Sequence, residues 1–411
     1  MKILMVTRET QAEKRYGLGR SLMPLIEELR RRDITVDYIC QSDLGPRASR
    51  WQHHLYRLLA ALPGSSKSAT DFPTLFHVLI ERLNMGRVAA KLAAKQKFTH
   101  VHCHDPIIAA GFRFFALLYP KHHASCWGVT EHGFGCYMNA MQDDGMKISP
   151  NVMRLLRNWE ARTLRAASWV TAPTFSGITQ IAKDLGVSPI PENWQVVTHA
   201  RPRLNHYQKQ DARTQLGWNA ECIYIIGVGR IAAVKQFPLL IEACAKLKAN
   251  KQLKLVILGE GDYGHLQKEA QQFAFADKLQ FATTEDIGLY LCAANIYVST
   301  SASESFGMAN FEALTAGTAA ICTAVGGVPD VVGNGAILVP PCAKEITHAI
   351  QHMLDNKKHR NATAQNGLER AKLWPDIIQI TDSYEAIYRQ ATTNKNSRTG
   401  AVPTTNATDA H

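Results

Sequence analysis

A chain of 411 residues is too long for one ordinary domain and has the size of two domains of about 200 residues each. Its composition, 46% hydrophobic and 20% charged, is that of a soluble globular protein, and its net charge is +11. The nine cysteines are scattered singly without a C-x-x-C pair, which excludes zinc-ribbon and thioredoxin-like classes. Neither a secretory signal nor an apolar run of the roughly 20 residues that a membrane span needs is recognisable, so we expect a cytoplasmic protein.

The first half of the chain alternates short apolar strands with helical patterns. The strands are predicted at Lys2–Val6, Thr35–Cys40, His100–His104, Ser125–Thr130 and Trp169–Pro173. This alternation predicts a parallel sheet covered by helices on both faces. A first domain over residues 1–200 would end at a hinge around Arg201-Pro202-Arg203.

The segment 44–97 is strongly basic. It holds nine Lys and Arg residues against Asp71 and Glu81, and aromatic and aliphatic residues such as Trp51 and Phe76 are interspersed among them. This mixture is typical of amphipathic helices at an anionic membrane surface, and equally of an ordinary pair of solvated helices. Both interpretations stay open. Nucleic acid is not expected as a partner, because no known reader motif accompanies the charge.

The second half repeats the strand and helix alternation. Strands are predicted at Cys222–Val228, Lys254–Leu258, Leu279–Phe281, Ile296–Ser299 and Ala319–Cys322. We therefore expect a second domain over residues 205–375, a last helix at 376–391 and a disordered tail at 392–411. The predicted fold is α/β, with two doubly wound, Rossmann-like parallel-sheet domains that face a central cleft, where ligands bind at the carboxyl ends of strands.

The richest pattern begins after the strand that ends at Ser299. A loop of small residues leads through Glu304 to a helix predicted to start near Phe306-Gly307, and Glu312 follows. Free amides and the positive end of a helix dipole favour an anion such as a diphosphate. Gly307 has no Cβ to hold a phosphate away. If both glutamates were helical, they would lie roughly 12 Å apart, a distance suited to one carboxylate at a sugar and one at a ribose.

Three further loops are predicted at the same edge. Gly229-Arg230 and Lys235 follow one strand, and two cations there could neutralise a departing nucleoside diphosphate. Gly259-Glu260 ends the next strand with backbone that can approach a base or ribose, and Gly326-Gly327-Val-Pro-Asp330 follows another.

The order and spacing of these elements resemble glycosyltransferase family 4, from Gly227 to Asp330. The E-x7-E signature matches Glu304 and Glu312, and the G-x-G-R…K element matches Arg230 and Lys235. The resemblance implies a GT-B fold and a retaining, nucleotide-sugar-dependent transferase. It assigns the diphosphate to Arg230, Lys235 and the amides around Phe306, Gly307 and Met308, the transferred sugar to Glu304, and the ribose to Glu312.

The first half resembles the family less closely. Thr130-Glu131-His132-Gly133 is similar to an element whose histidine reaches the donor sugar, and Gly17 stands where the family has a glycine pair. His102-Cys103-His104-Asp105 invites a metal interpretation, but no further His or Cys ligands are grouped nearby, so no metal site is predicted. The stretch from Thr198 to Pro202 departs from the family pattern.

No two aspartates form the D-x-D pair with which the other major transferase fold holds a divalent ion. We therefore expect a reaction without metal or cofactor, in which the leaving diphosphate helps to take the acceptor proton on the front face. The predicted function is transfer of a hexose-type sugar from a nucleotide sugar, with UDP favoured, to a glycan or lipid-linked acceptor in surface polysaccharide or lipopolysaccharide synthesis.

Three alternatives remain at this stage. A non-catalytic GT-B partner subunit would keep the fold, and an NDP-sugar epimerase or phosphorylase would keep the phosphate-binding residues. An NAD-dependent dehydrogenase is disfavoured, because neither half has a G-x-G-x-x-G between its first strand and helix. The predicted place of the protein is the cytoplasm, and the membrane interpretation of 44–97 would add peripheral contact to the inner membrane face.

Overall fold

The computed structural model describes residues 1–9, 17–60, 69–119, 125–143 and 145–399. Within them twelve strands form two parallel six-stranded sheets. The strands of the first sheet are β1 Lys2–Val6, β2 Thr35–Ile39, β3 His100–Cys103, β4 Cys126–Thr130, β5 Trp169–Ala172 and β6 Trp194–Val196. Those of the second are β7 Ile223–Val228, β8 Leu253–Leu258, β9 Leu279–Ala282, β10 Ile296–Ser299, β11 Ala319–Thr323 and β12 Ile337–Val339.

Helices connect the strands. Those of the first half are α1 Gly17–Arg31, α2 Pro46–Ala60, α3 Phe72–Gln96, α4 Pro106–Ala116, α5 Tyr137–Asp143, α6 Pro150–Ala166 and α7 Phe175–Asp184. Those of the second half are α8 Lys209–Leu216, α9 Phe237–Ala245, α10 Gly264–Gln272, α11 Ile287–Ala293, α12 Met308–Thr315, α13 Val328–Val332, α14 Ala343–Asp355, α15 Lys357–Lys372 and α16 Ile377–Thr399.

The first sheet has the strand order β2-β1-β3-β4-β5-β6. Strand β1 shows why both faces are covered. Leu4 and Val6 point into a core with α3 and α4, whereas Ile3 and Met5 point into a core with α1 and α16. Such a strand must be apolar wherever it is buried, as it is from Ile3 to Val6. The predicted coverage on both faces is confirmed.

The second sheet has the order β12-β11-β10-β7-β8-β9, and its four inner strands are likewise buried on both faces. In β7, Ile225 belongs to a core with α9 and α14, while Tyr224 and Ile226 belong to a core with α11, α12 and α13. The predicted α/β class with two doubly wound sheets is therefore confirmed.

Helix α16 returns to the first sheet after the chain has completed the second. Its buried Ile380 and Tyr384 pack with α1, and Arg32 contacts Asp382 at 2.6 Å and Glu385 at 3.2 Å. The two passages between the sheets lie side by side, since the amide of Arg201 donates to the carbonyl of Pro375 at 2.9 Å.

The predicted end of this helix at 391 is wrong. Residues 392–399 are helical rather than disordered, and residues 400–411 lie outside the described residues. Hydroxyl side chains support the extension. Thr392 Oγ1 bonds both the carbonyl of Tyr388, at 3.2 Å, and His100 Nε2, at 3.1 Å. Residues 392–399 are polar and lack the helical spacing of apolar residues, so the sequence did not indicate this helix end, which hydrogen bonds stabilise.

Candidate functional site

The loop between β10 and α12 forms the centre of the site. Helix α12 begins at Met308, directly after the start predicted near Phe306-Gly307, and Gly307 caps it in the left-handed region with φ of 77°. The first intrahelical bonds are donated to the carbonyl of Gly307 by Asn310 and Phe311. The amides of Gly307, Met308 and Ala309 precede these bonds, so they remain free to bind an anion.

Glu304 lies four residues before the helix begins, so only one of the two paired glutamates is helical. The distance of roughly 12 Å that two helical positions would give therefore does not apply. Glu304 is half-buried, and Ser301 Oγ donates to its Oε1 at 2.9 Å. Glu312 is 2% exposed on α12.

The loop after β7 brings Lys235 to the same place. Thr300 Oγ1 donates to the carbonyl of Lys235 at 2.8 Å, and the amide of Ala302 donates to the carbonyl of Val234 at 2.8 Å. These two bonds join the β7 loop to the β10 loop. Lys235 Nζ consequently contacts Glu304 Oε1 in an ion pair. The structure thus brings together a cation and a carboxylate that lie far apart in the sequence.

Glycines at the ends of β7 and β8 allow close approach of two backbones. A Cβ on Gly259 would lie 1.8 Å from the carbonyl oxygen of Gly229, so only glycine fits there. Arg230 and Glu260, which follow these glycines, are exposed to solvent. Arg230 is therefore accessible to a ligand, although it does not take part in the Lys235 ion pair.

Phe306 contributes its ring to packing. It is 3% exposed and lies between Phe311, Trp374 and His199, at ring-centroid distances of 5.8, 5.6 and 5.0 Å. Met308 is half-buried at the start of α12. At these two positions the groups suited to a phosphate are therefore backbone amides.

His132 follows β4 and lies among other histidines. Its Nε2 is 3.0 Å from His104 Nδ1, and its ring stacks on that of His199 at 5.9 Å and an interplanar angle of 8°. Burial, followed by the charges that His104 and His199 would carry, lowers the pKa of His132 well below its usual value. Burial also lowers the pKa of His104 to about 3 and that of His199 to about 4. All three rings are therefore neutral near pH 7.

His199 is the site residue that sequence reasoning missed. It lies in the stretch that departs from the family pattern, yet its ring bridges His132 of the first half and Phe306 of the second. Its carbonyl accepts from Trp374 Nε1 at 2.9 Å. The one available signal was its place three residues after the end of strand β6, at the edge where the other site residues follow their strands.

Other loops of the two halves also touch. Thr174 Oγ1 donates to the carbonyl of Ser305 at 3.2 Å, and the amide of Ser176 donates to Asp330 Oδ2 at 2.9 Å. A carboxylate is favourable at that amide because Ser176 lies in the first turn of α7. The β10 loop and the loop of Asp330 are thereby held against the first half.

Two predictions, the family resemblance at Gly17 and the absence of a metal site, can be compared with the structure only over the described residues. Gly17 opens α1, but residues 10–16 of the preceding loop lie outside the described residues, so its resemblance to the glycine pair of the family stays untested. Among residues 1–9, 17–60, 69–119, 125–143 and 145–399, no group of three or more His, Cys, Asp or Glu side chains could hold a metal ion. No helix in the same part of the chain is both long and apolar enough to cross a lipid bilayer.

The fold is shared with solved glycosyltransferases over nearly the whole chain. Sucrose-phosphate synthase from Thermosynechococcus elongatus superposes with a TM-score of 0.74 at 19% identity, covering 96% of this chain and 100% of that one. WaaG, a glycosyltransferase involved in lipopolysaccharide biosynthesis, superposes with a TM-score of 0.65 at 15% identity, covering 94% and 99%. The architecture is thus that of the GT-B glycosyltransferases.

The sequence itself matches a family in its second half. Residues 208–370 match the family model described as glycosyl transferases group 1. Glycogen synthase from Desulfitobacterium hafniense is 28% identical over 52% of this chain and 50% of its own. D-inositol 3-phosphate glycosyltransferase 2 from Catenulispora acidiphila is 31% identical over 51% and 52%. The chain spans about half the length of these curated relatives, and the family match covers the half of the chain that contains most of the predicted motifs.

Proposed function

We propose that this protein is a retaining glycosyltransferase that moves a hexose-type sugar from a nucleotide sugar to a glycan or lipid-linked acceptor. UDP is the favoured nucleoside diphosphate of the donor, because HepE from Anabaena, which shares the fold with a TM-score of 0.65, was solved in complex with UDP. The transferase class is supported by the family match of residues 208–370 and by the relatives named above. The acceptor would belong to surface polysaccharide or lipopolysaccharide synthesis.

The observation that carries the proposal is the contact of Lys235 with Glu304 at the start of α12. A lysine, an exposed Arg230 and the free amides at Gly307 supply positive charge where a diphosphate would leave. Glu304 lies beside this anion site, where the sugar attached to the diphosphate would be. Since the cations can neutralise the leaving group, no divalent ion is required for that step.

In this mechanism the acceptor hydroxyl attacks the anomeric carbon from the face that the diphosphate leaves. The departing phosphate oxygen takes the hydroxyl proton, while Lys235 and Arg230 stabilise the negative charge that develops on the diphosphate. Glu312 would bind the ribose, and His132 would contact the transferred sugar. The loops at Gly229, Gly259 and Glu260 would adjoin the nucleoside.

The test is calorimetric titration of UDP, GDP, ADP and their glucose conjugates into the wild type and Lys235→Ala. We expect one nucleoside diphosphate to bind and Lys235→Ala to weaken it about tenfold or more. Lys246→Ala is the matched control, because Lys246 forms an exposed ion pair with Glu242 on α9. Binding of no nucleotide by the folded protein would contradict the proposal and favour a non-catalytic partner.

The reaction class needs a second measurement. Incubation of the bound nucleotide sugar with EDTA and a membrane lipid extract should release the nucleoside diphosphate only when the extract is present. Conversion of the donor without an acceptor would instead indicate an epimerase, and complete loss of transfer in EDTA would contradict the metal-independent mechanism.

The surface of α2 supports peripheral membrane contact. Trp51 and Leu58 are 37% and 56% exposed, and Arg47, Arg50 and Arg57 are exposed on the same helix. Positions 47, 50, 51 and 58 lie on one side of a helix with 3.6 residues per turn. An exposed aromatic and aliphatic pair among arginines suits the surface of an anionic bilayer.

Sedimentation with lipid vesicles tests this contact. We expect the wild type to bind vesicles that contain anionic lipid, less so at high salt, and Arg47→Glu with Arg50→Glu to release it. Lys357→Glu with Lys358→Glu on α15 is a control of equal charge change. If the two double variants lost vesicle binding equally, the overall positive charge of the protein, rather than the surface of α2, would be responsible for the binding.

A further inference from the structure

His104 and His132 share one hydrogen. His104 Nδ1 and His132 Nε2 lie 3.0 Å apart; His104 directly follows β3, and His132 lies two residues after the end of β4. A neutral imidazole has one N–H and one lone pair, so one ring must donate and the other must accept. Which ring donates decides which nitrogen of His132 carries the remaining hydrogen.

The surroundings of His104 determine the direction of this bond. His104 is 3% exposed, and its Nε2 is buried without a hydrogen-bond partner among the described residues. A buried N–H without an acceptor is the rarer and more costly arrangement. The hydrogen of His104 is therefore on Nδ1, and His104 donates to His132 Nε2.

The ring of His104 is held in place by buried residues of the first domain and α16. Its ring stacks on that of His102 at 4.2 Å. His102 is fully buried and is fixed by Tyr388 Oη at 2.8 Å and Thr130 Oγ1 at 2.7 Å. The position of the His104 ring is thus fixed by a stack that reaches from α16 to the site.

His132 has one nitrogen left for a ligand. Its Nδ1 makes no hydrogen bond within the described chain, and His132 is only partly buried, so this nitrogen is available to a ligand. The ring is clamped on its other side by His199, which contacts Phe306 beside the β10 loop. The His132 ring therefore cannot rotate freely, and it cannot flip so that Nδ1 and Nε2 change places.

We propose that His104 is a positioning residue that holds His132 in the tautomer with hydrogen on Nδ1, so that His132 offers a donor to a hydroxyl oxygen of the transferred sugar. The inference rests on the proposed function for its ligand. The tautomer itself is a property of the free protein and can be measured without substrate.

The experiment is two-bond ¹H–¹⁵N correlation spectroscopy of protein labelled with ¹⁵N in histidine, near pH 7.5. The signals of His132 are assigned by their loss in His132→Gln. We expect the Nδ1–H pattern for His132 in the wild type. The Nε2–H pattern there would overturn the proposal, whether or not a donor sugar is found.

Two variants test the role of His104. His104→Phe keeps the stacked ring but loses the donor, and His104→Asn keeps an N–H near the position of Nδ1. We expect His104→Phe to lose the Nδ1–H pattern of His132 and to lower kcat at least about tenfold, with KM for the donor little changed. His104→Asn should restore both. Equal loss of kcat in the two variants with an unaltered His132 tautomer would overturn the positioning role.

Discussion

Lys235 and Glu304 neutralise each other in the structure, although their proposed ligands are different parts of one donor. A diphosphate must therefore compete with Glu304 for the ammonium group. We expect Glu304→Gln to bind the nucleoside diphosphate as tightly as the wild type or up to about tenfold more tightly, because the competing charge is gone. Transfer should fall at least about a hundredfold, since the carboxylate beside the sugar is lost.

Calorimetry and initial rates on the same preparations check this prediction. Lys235→Ala should show the opposite pattern in binding, with affinity reduced by about 1.5–3 kcal/mol for the lost charge-assisted bond. If Glu304→Gln weakened the nucleotide as much as Lys235→Ala does, the two residues would not compete, and the ion pair would have only a structural role.

Gly307 and Gly217 allow backbone strain to be separated from steric contact. Both adopt positive φ, 77° and 65°, but a Cβ on Gly307 would lie 2.5 Å from Asn310 Nδ2, whereas one on Gly217 would meet nothing within 4 Å. We expect Gly217→Ala to lower the free energy of unfolding by about 1–2 kcal/mol, the cost of a left-handed L-residue. Gly307→Ala should cost more and should also weaken nucleotide binding.

Urea denaturation and calorimetry measure the two effects. Gly217 ends α8, away from the α12 amides, so its variant reports strain alone. Equal destabilisation by the two substitutions, with nucleotide affinity intact in both, would contradict a tight anion site at Gly307.

Helix α16 stabilises the first domain through polar contacts as well as apolar ones. Tyr388 Oη bonds His102 Nδ1 at 2.8 Å inside the core, whereas Tyr384 Oη is 3.4 Å from Thr130 Oγ1, which has Thr171 as a closer partner at 2.6 Å. Tyr388→Phe leaves a buried imidazole nitrogen without its partner. We expect it to lower the free energy of unfolding by about 1–3 kcal/mol, and Tyr384→Phe by less.

The midpoint of urea unfolding distinguishes the two variants, because each removes one oxygen from a buried tyrosine of the same helix. A larger effect of Tyr384→Phe would show that the threonine contacts, rather than the histidine stack, anchor α16.

Elements with a strong local pattern were predictable, whereas contacts between distant segments were not. Strand β1 and the start of α12 follow from an apolar run and from a glycine before a helix, both of which are local signals. The approach of His199 to His132 depends on how β4 and β6 are ordered in the sheet. No local pattern encodes that order. Similarly, a helix end held by Thr392 could not be distinguished from a polar tail.

Buried histidines and glutamates with shifted pKa values are concentrated in the first domain near its contact with the second. Behind His132 the first domain buries histidines, and close to them it also buries Glu131 and Glu160. Burial lowers the pKa of the histidines, whereas burial together with neighbouring carboxylates raises the pKa of Glu131. Burial raises the pKa of Glu160 to about 7, although the amides of Tyr137 and Met138 donate to it. These two kinds of residue give the stability opposite dependences on pH.

The net pH dependence follows from protons bound in each state. The pKa is lowered in five histidines, namely His100, His102, His104, His132 and His199. Below their unfolded pKa of about 6.5, the unfolded chain binds protons that the folded one does not, so stability falls as the pH falls. A glutamate whose pKa is raised acts oppositely between about 4.5 and 7, because there the folded state holds the extra proton.

Between about pH 4.5 and 6.5, the five histidines with a lowered pKa outnumber the two glutamates with a raised pKa, Glu131 and Glu160. We therefore expect the free energy of unfolding, measured by urea denaturation, to rise with pH across this window, by about 1.4 kcal/mol per pH unit for each histidine in excess. Glu160→Gln removes one opposing group and should steepen the rise, whereas Glu242→Gln, at an exposed ion pair on α9, should leave the slope unchanged. A midpoint that fell from pH 5 to 6.5 in the wild type would mean that the histidines are charged in the folded protein, and the neutral stack from Tyr388 to His132 could not then exist.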